Sequence, residues 1–120
     1  MSLRFGPDVR LRARREYLTV QEQGRRISSR YVTVLALPNT LGRDRLGVVA
    51  SKKIGGAVVR NRAKRRIREI FRRTRPETTT EPRRGYDLVV IARQELPRAP
   101  FDLVRSDVTG ALGRVGRSRT

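Results

Sequence analysis

The clearest hydrophobic pattern in the chain is a helical stripe between residues 57 and 73. Residues of an α-helix advance by about 100° each, so apolar side chains three and four positions apart fall on one face. The stripe consists of Ala63, Ile67, Ile70 and Phe71. The pattern therefore predicts a helix over 57–73, which begins after Gly55-Gly56 and packs its apolar stripe against a core.

Other segments have the patterns of β-strands. Residues 31–37 alternate β-branched and apolar side chains, which predicts a strand that ends at Pro38 and Asn39. Residues 45–51 are predicted to form a second strand, antiparallel to the first across a polar turn, and the pattern also allows a short strand near 26–29. The apolar run 86–92 suits a strand that is buried on both faces and therefore lies at the centre of a sheet.

Two further helices are predicted near the ends of the chain. In 14–23, Tyr17, Val20 and Gln21 share one face, and Gly24 is expected to close the helix in the C′ position. After residue 100, apolar residues again recur at helical spacing, although the glycines near the end of this segment each cost about 1 kcal/mol relative to alanine. The apolar positions are Phe101, Val104, Val108, Ala111 or Leu112, and Val115.

The order helix, strands, helix, strand, helix predicts one α+β or α/β domain, with helices packed on a mixed sheet of about four strands. At 120 residues the chain is long enough for a single domain. Residues 1–12 are expected to be an extended basic arm, 74–84 a loop and 114–120 a flexible tail. The crossover from a strand through helix 57–73 to strand 86–92 would normally be right-handed.

Charge changes the interpretation of helix 57–73. Its polar face holds seven cations and only one acid, Glu69, whereas a solvated helix normally interleaves glutamates among its lysines and arginines. Like charges at i,i+4 repel each other, and cations in the first turn oppose the helix dipole. A polyanion would offset both effects, because guanidinium groups and free first-turn N–H groups bind phosphate.

The composition of the whole chain agrees with a polyanionic partner. There are 29 basic residues against 11 acidic ones, for a formal net charge of +18, and the usual partner of such a surface is nucleic acid. All the basic residues except Lys52, Lys53 and Lys64 are arginine. This bias suits phosphate recognition, but it can equally reflect the nucleotide composition of a genome.

Several kinds of chemistry are excluded by missing residue types. The chain has no cysteine and no histidine, which removes disulfides, thiolate and imidazole metal sites, and a nuclease mechanism built on histidines. Asp87 and Asp102 are isolated acids beside apolar runs, a setting more typical of caps and salt bridges than of metal ligands, so no metal site is predicted. Without a signal-peptide core or an apolar run of about 18 residues, we expect a soluble, unexported, cytoplasmic protein.

A block of motifs around helix 57–73 resembles the protein component of bacterial ribonuclease P. The specific part is Arg60-Asn61-Arg62 within a longer pattern that includes Lys52-Lys53-Ile54-Gly55, Lys64-Arg65 and Ile67-Arg68-Glu69. The resemblance extends from about residue 10 to residue 112. It includes Arg10-Leu11-Arg12, Tyr17, Gly24, Arg30, Arg45-Leu46-Gly47 and the segment from Asp87 to Arg93.

The resemblance implies an α+β fold, a small two-layer αβββαβα sandwich with a mixed four-stranded sheet and a left-handed βαβ crossover. It also implies a protein without catalytic residues of its own, monomeric when alone. In that family the RNA subunit removes the 5′ leader of precursor tRNA using Mg²⁺, which is held mainly by RNA. The protein binds the catalytic RNA through the basic helix and holds the leader in a cleft between the first helix and the sheet.

Carried over by position, the resemblance predicts two sets of binding residues. The set for the catalytic RNA is Lys52, Lys53, Arg60, Asn61, Arg62, Lys64, Arg65 and Arg68. The set for the precursor-tRNA leader is Tyr17, Gln21, Arg30, Thr33, Leu35 and Arg93. Tyr17 would supply a ring for base stacking, and Arg30 and Arg93 would hold the backbone at the rim.

Simpler interpretations stay open for these residues. The basic helix could be only a solvated face, and Tyr17 an ordinary half-buried aromatic. A non-catalytic RNA-binding protein, such as a ribosomal protein or assembly factor, would have the same composition, and only the 52–69 block together with an aromatic-bearing cleft distinguishes the two. A self-sufficient nuclease is disfavoured, because the chain lacks histidine and a carboxylate cluster for two metals.

Overall fold

The computed structural model describes residues 10–11, 13–74 and 85–115 of the chain. The elements in chain order are α1 (Arg14–Gln23), β1 (Arg25–Ser28), β2 (Val32–Asn39), β3 (Arg45–Val49), α2 (Ala57–Thr74), β4 (Gly85–Ala92) and α3 (Phe101–Gly113). Two short 3₁₀ turns lie at Lys52–Ile54 and Leu96–Arg98. The predicted αβββαβα order and the α+β fold class are therefore confirmed.

The four strands form one mixed sheet in the order β1-β2-β4-β3. β4 is antiparallel to β2 and parallel to β3, and it has a neighbour on each side, as its apolar sequence predicts. β3 runs antiparallel to β2, as predicted, but the two strands are not paired across the polar turn, because β4 lies between them. The β3-α2-β4 unit is the predicted crossover, and the left hand that the resemblance implies for it stays a prediction.

β2 runs two residues further than its sequence predicts, through Pro38 and Asn39. β1 pairs with β2 only as far as Ala36, whereas β4 continues beside β2 to the end, where Gly85 lies opposite Asn39. Pro38 therefore lies where β2 has a neighbour on one side only, and an edge position tolerates the missing N–H of proline.

α2 and α3 cover one face of the sheet and enclose the larger core. The predicted stripe of α2 is buried as a unit, with exposed fractions of 0% for Ala63 and Ile67, 1% for Ile70 and 6% for Phe71. In α3, Val104 and Val108 are fully buried as predicted, but Phe101 is 38% exposed. The aliphatic positions of α3 close the core, and Phe101 lies at its margin.

α1 covers part of the opposite face of the sheet and has the predicted bounds. Gly24 follows the helix, but with φ −75° and ψ 156° it is extended rather than left-handed. Space explains the glycine instead, because a Cβ at this position would lie 2.5 Å from the carbonyl oxygen of Val20. Gly24 thus ends the helix as predicted, without the left-handed conformation that is common for a glycine in this position.

Thr74, the first residue of the predicted loop, is the last residue of α2. The rest of that loop and most of both predicted terminal segments lie outside the described residues. Arg10 and Leu11 are described and do not belong to a free arm: Arg10 forms a parallel bridge with Leu46, and the Leu11 N–H donates to the Leu46 carbonyl at 3.1 Å. Val115 falls within the predicted tail but also continues the apolar spacing of the last helix, and it is 2% exposed. Among the described helices, none has the length and apolar character needed to cross a membrane.

Candidate nucleic-acid interface

The exposed side of α2 carries the residues predicted to bind the catalytic RNA. Asn61, Arg62, Arg65 and Arg68 are exposed, and Lys64 is half-buried at the edge of the same face. Within the described part of the chain, the side chains of Arg62, Lys64 and Arg65 form no hydrogen bond or ion pair. We call the predicted residues of α2, from Arg60 to Arg68, the α2 basic face; its free donors are available to an outside anion.

Three other arginines of α2 are occupied by protein groups. The Arg66 guanidinium donates to the carbonyl oxygens of Leu96 and Ala99 at 3.3 and 3.0 Å, so Arg66 braces α2 against the turn before α3. Glu69 accepts hydrogen bonds from Arg72 and Arg73 within the helix. The free cations therefore lie upstream of Glu69, which agrees with the predicted set.

Arg60 lies at the border between the α2 basic face and the core. The residue is half-buried, and its Nε is buried with no hydrogen-bond partner among the described residues. A buried donor that lacks an acceptor costs about 1–3 kcal/mol. The burial of Nε shields it from an outside anion, so only the terminal Nη groups of Arg60 are candidates for such a contact.

Lys52 and Lys53 lie in the 3₁₀ turn immediately before α2. Ile54 anchors this turn with an exposed fraction of 2%, and both lysines are exposed. Gly55 has φ 152°, a conformation that side-chain-bearing residues rarely adopt. This bend therefore directs the chain into α2 and keeps the two lysines next to its first turn.

The predicted leader residues lie around α1, on the opposite face of the sheet from α2. The Tyr17 ring lies on Gly47 of β3: a Cβ on Gly47 would be 2.6 Å from ring carbons Cε2 and Cζ. Gln21 is one helical turn further along α1 and is exposed. The two residues line the same flank of the helix, and the sheet beyond them is only partly covered.

The sheet beside this flank differs in detail from the prediction. Thr33 and Leu35 face α1 but are buried, with exposed fractions of 5% and 4%. The accessible floor consists instead of Val49 and Ile91, which lie opposite each other on β3 and β4 and are half-buried. Sequence reasoning missed both, although the alternation Arg45, Gly47, Val49 places Val49 on this face.

We call the strip between Tyr17 and Gln21 on one side and Val49 and Ile91 below the α1 groove. Arg30 and Arg93 lie at the end of the sheet next to it. Both are exposed, and the Arg93 N–H donates to the Tyr31 carbonyl at 2.9 Å. The Arg30 guanidinium lies 5.2 Å from the centre of the Tyr31 ring. Arg93 thus contacts Tyr31 through its backbone N–H and Arg30 through its guanidinium, and the Tyr31 ring belongs to the core between the sheet and the α2–α3 layer rather than to the groove.

Asp107 of α3 fixes the turn that carries Arg30. Its carboxylate accepts hydrogen bonds from the Ser29 hydroxyl at 2.7 Å and from the backbone N–H groups of Arg30 and Tyr31 at 3.3 and 2.8 Å. Sequence reasoning missed this contact, because 76 to 78 positions separate the partners. The rim of the α1 groove is therefore tied to the helical layer on the other side of the sheet.

The flank of α1 away from Tyr17 is closed by an ion network. Arg45 donates to Asp87 through Nε and Nη2, both at 2.9 Å, and to Glu16 of α1 at 3.2 Å. Asn39 donates to the same Asp87 carboxylate at 2.8 Å. Two acids neutralise Arg45, so this arginine is not available to a polyanion.

This network shifts the pKa values of its members in opposite directions. Burial raises the pKa of Asp87, but the hydrogen bonds from Arg45 and Asn39 and the charge of Arg45 outweigh it, and the net pKa lies below its usual value. The hydrogen bond to Asp87 raises the pKa of Arg45. Asp87 is therefore a structural anion. In the described residues no group of three or more acidic, histidine or cysteine side chains could hold a metal ion.

A cationic helix on one face of an α+β sheet and an aromatic-lined groove on the other are features of an RNA-binding protein. Comparison with known families gives a specific result: the Ribonuclease P family model matches residues 5–116. The chain therefore belongs to the ribonuclease P protein family.

Similar proteins support this assignment in sequence and in structure. The chain is 42% identical to the ribonuclease P protein component of Symbiobacterium thermophilum, over 89% of this chain and 90% of that protein. It is 38% identical to the protein component of Thermotoga maritima, over 96% of this chain and 98% of that protein. A solved structure of the ribonuclease P protein from Thermotoga maritima matches with a TM-score of 0.73 at 36% identity, covering 92% of this chain and 98% of that one.

The comparisons decide between the two interpretations left open by composition. They support a role as a ribonuclease P subunit in tRNA processing, and they do not favour a ribosomal protein or assembly factor. Membership of the family also implies an RNA partner in a ribonucleoprotein.

Proposed function

We propose that this chain binds the catalytic RNA of ribonuclease P through the α2 basic face and the 5′ leader of precursor tRNA through the α1 groove. The observation that carries the proposal is the unpaired state of Arg62, Lys64 and Arg65 within the described chain. Three free cations within about one turn of one helix repel each other. A bound polyanion would offset this repulsion.

The α1 groove supports the second half of the proposal. A leader is single-stranded, and single strands bind to surfaces that combine aromatic or apolar platforms for bases with cations for phosphates. The groove has the Tyr17 ring and the aliphatic floor of Val49 and Ile91, with Arg30 and Arg93 exposed at its end. This combination suits unpaired nucleotides, whose bases are free to stack on it, better than a duplex, whose bases are already paired and stacked.

In this proposal the RNA subunit performs the cleavage with Mg²⁺. The described carboxylates form no group of three that could hold the ion, and several are already engaged. Asp87 and Glu16 are bound to Arg45, and Asp107 accepts hydrogen bonds from the β1–β2 turn. Glu69 is bound to Arg72 and Arg73. Mg²⁺ also keeps several waters and prefers phosphate oxygens, so its ligands are expected from RNA and water.

The protein's own contribution is phosphate neutralisation. If about 6–10 phosphates are contacted, affinity for RNA falls about 10³- to 10⁵-fold between 50 and 200 mM salt. By neutralising phosphates, the α2 basic face and the α1 groove would raise the affinity of the RNA for leader-bearing substrate and for Mg²⁺. We also propose that the chain acts in the cytoplasm and is monomeric when no RNA is bound.

Reconstitution tests this function. The protein is mixed with a bacterial ribonuclease P RNA and precursor tRNA at low Mg²⁺, and removal of the 5′ leader is followed with and without protein. We expect cleavage that depends on both components. Cleavage by the protein without RNA would overturn the assignment of the chemistry, and cleavage by RNA that is unchanged when protein is added would overturn the role of the protein.

A further inference from the structure

We propose that Arg14 is a phosphate contact of the α1 groove, placed beside Tyr17 and Gln21 on the groove side of α1. The inference rests on the proposed function of the groove and adds a residue that neither the family resemblance nor the matched motifs assign. It follows from the orientation of α1, which contacts of Glu16 and Tyr17 fix independently.

Two contacts define the sides of α1. Glu16 reaches Arg45, at the closed flank, with 3.2 Å between Oε2 and Nη1. The ring of Tyr17, the next residue of α1, lies on Gly47, which is two residues beyond Arg45 along β3. The next residue of β3 on the same face is Val49, the groove floor. Going from Glu16 to Tyr17 around α1 therefore leads from the closed flank towards the groove.

Helical geometry then places Arg14. At about 100° per residue, Tyr17 lies about 100° from Glu16, Gln21 about 140° and Arg14 about 160°, all in the same sense. Arg14 and Gln21 are thus nearly aligned along the helix, and both are exposed. Around the helix axis, Tyr17 lies between these two residues and the sheet. The wall of the groove therefore has the Tyr17 ring next to the sheet, with the Arg14 guanidinium and the Gln21 amide further from it.

Arg14 does not stabilise α1. It is the first residue of α1, where a positive charge opposes the helix dipole and costs some tenths of a kcal/mol. Within the described residues, its side chain forms no hydrogen bond or ion pair. An exposed cation that does not stabilise its own helix, on the groove side of α1 and one turn from an aromatic ring, matches the phosphate side of a bound single strand.

Arg15 is the matched control for this inference. It has the same side chain, lies in the same first turn and is also exposed. It lies about 100° further around the axis, on the solvent side of α1 and away from both the sheet and the groove. Replacing either residue by alanine removes one charge from the same turn, so only the contact with the leader differs.

The experiment measures binding of precursor tRNA, with and without its leader, to the reconstituted holoenzyme over a series of salt concentrations. The variants are Arg14→Ala, Arg14→Lys and Arg15→Ala. We expect Arg14→Ala to weaken binding of leader-bearing substrate about two- to fivefold, as for an exposed charge pair. It should also lower the slope of log affinity against log salt by about 0.7, the value for one single-strand phosphate.

Arg14→Lys should recover most of the affinity, Arg15→Ala should match the wild type, and none of the variants should alter binding of mature tRNA. Equal losses for Arg14→Ala and Arg15→Ala would overturn the inference and leave the proposed function standing. A wild-type holoenzyme that binds both substrates equally would overturn the proposed leader groove itself. Thermal unfolding of each free variant checks the fold, and a lower melting temperature for Arg14→Ala would contradict its lack of a structural role.

Discussion

The ring of Tyr17 rests on the backbone of Gly47, and the two residues fit only because residue 47 has no side chain. A Cβ there would lie 2.6 Å from two ring carbons and 2.8 Å from the phenolic oxygen, closer than non-bonded atoms can approach. The contact fixes the distance between α1 and β3. It also exposes part of the ring to the α1 groove, since Tyr17 is only half-buried.

Gly47→Ala should therefore alter both stability and the groove. The added methyl group must displace the Tyr17 ring, and overpacking of this kind costs about 1–3 kcal/mol. Urea denaturation measures the free energy of unfolding, and binding of leader-bearing tRNA measures the groove. Wild-type values for both quantities would show that the ring can move away freely and that this contact does not shape the groove.

Gly110→Ala should have the opposite effect on stability. Gly110 lies inside α3, and a Cβ at this position would meet no atom within 4 Å. Alanine is favoured over glycine by about 1 kcal/mol in a helix interior, so the free energy of unfolding should rise by up to about that amount. RNA binding should not change. A decrease in stability would mean that the surface of α3 at this position is less open than the structure shows.

Asp87→Asn tests the ion network at the closed flank of α1. The pKa of Asp87 is lower in the folded chain than its usual value of 3.8. The ionised carboxylate therefore stabilises the fold above that pH, and the contribution is lost as the pH falls below 3.8 through the lower folded value. At pH 7 we expect Asp87→Asn to lose about 1–2 kcal/mol.

The pH dependence distinguishes this explanation from a simple packing defect. The stability of the wild type should fall towards that of Asp87→Asn as the pH is lowered from 5 to 2, whereas Glu22→Gln, an exposed position on α1, should follow the wild type throughout. Urea titrations at several pH values give these curves. A deficit of Asp87→Asn that stays constant down to pH 2 would contradict the ionic role of Asp87.

Arg65→Ala and Arg73→Ala remove the same charge from the same helix. Arg65 has no partner within the described chain, whereas Arg73 is paired with Glu69. We expect Arg65→Ala to weaken assembly with the catalytic RNA and to lower the salt slope by about 1. Arg73→Ala should have a smaller effect on both. Equal effects would show that the intrahelical pairs do not limit the docking surface.

The parts of the fold that depend on local periodicity could be predicted from the sequence. The stripe of α2 is buried as predicted because helical spacing alone determines which side chains share a face. β4 is central as predicted, because an apolar run that is buried on both faces suits the middle of a sheet better than its edge. The antiparallel direction of β2 and β3 is also as predicted, but their direct pairing is not, because nothing in those two segments shows that a later strand lies between them.

The candidate site likewise has a part that local sequence predicts and a part that depends on distant contacts. Arg62 and Arg65 could be assigned from a contiguous motif on one helix, and the structure exposes both. The groove floor could not, because the path of α1 across the sheet decides which residues stay accessible. That path buries Thr33 and Leu35 and leaves Val49 and Ile91 accessible, and it depends on contacts such as Tyr17 with Gly47 that connect distant parts of the chain.

The central claim is that two surfaces on opposite faces of one sheet bind different RNAs, and a crossed comparison of two variants tests it most directly. Arg65→Ala changes the α2 basic face, and Tyr17→Leu removes the ring while keeping an apolar side chain against Gly47. For each, affinity for the catalytic RNA and the ratio of affinities for precursor and mature tRNA are measured in the same buffer. We predict that Arg65→Ala lowers only the first quantity and Tyr17→Leu only the second; variants that each lower both quantities alike would contradict the division into two surfaces.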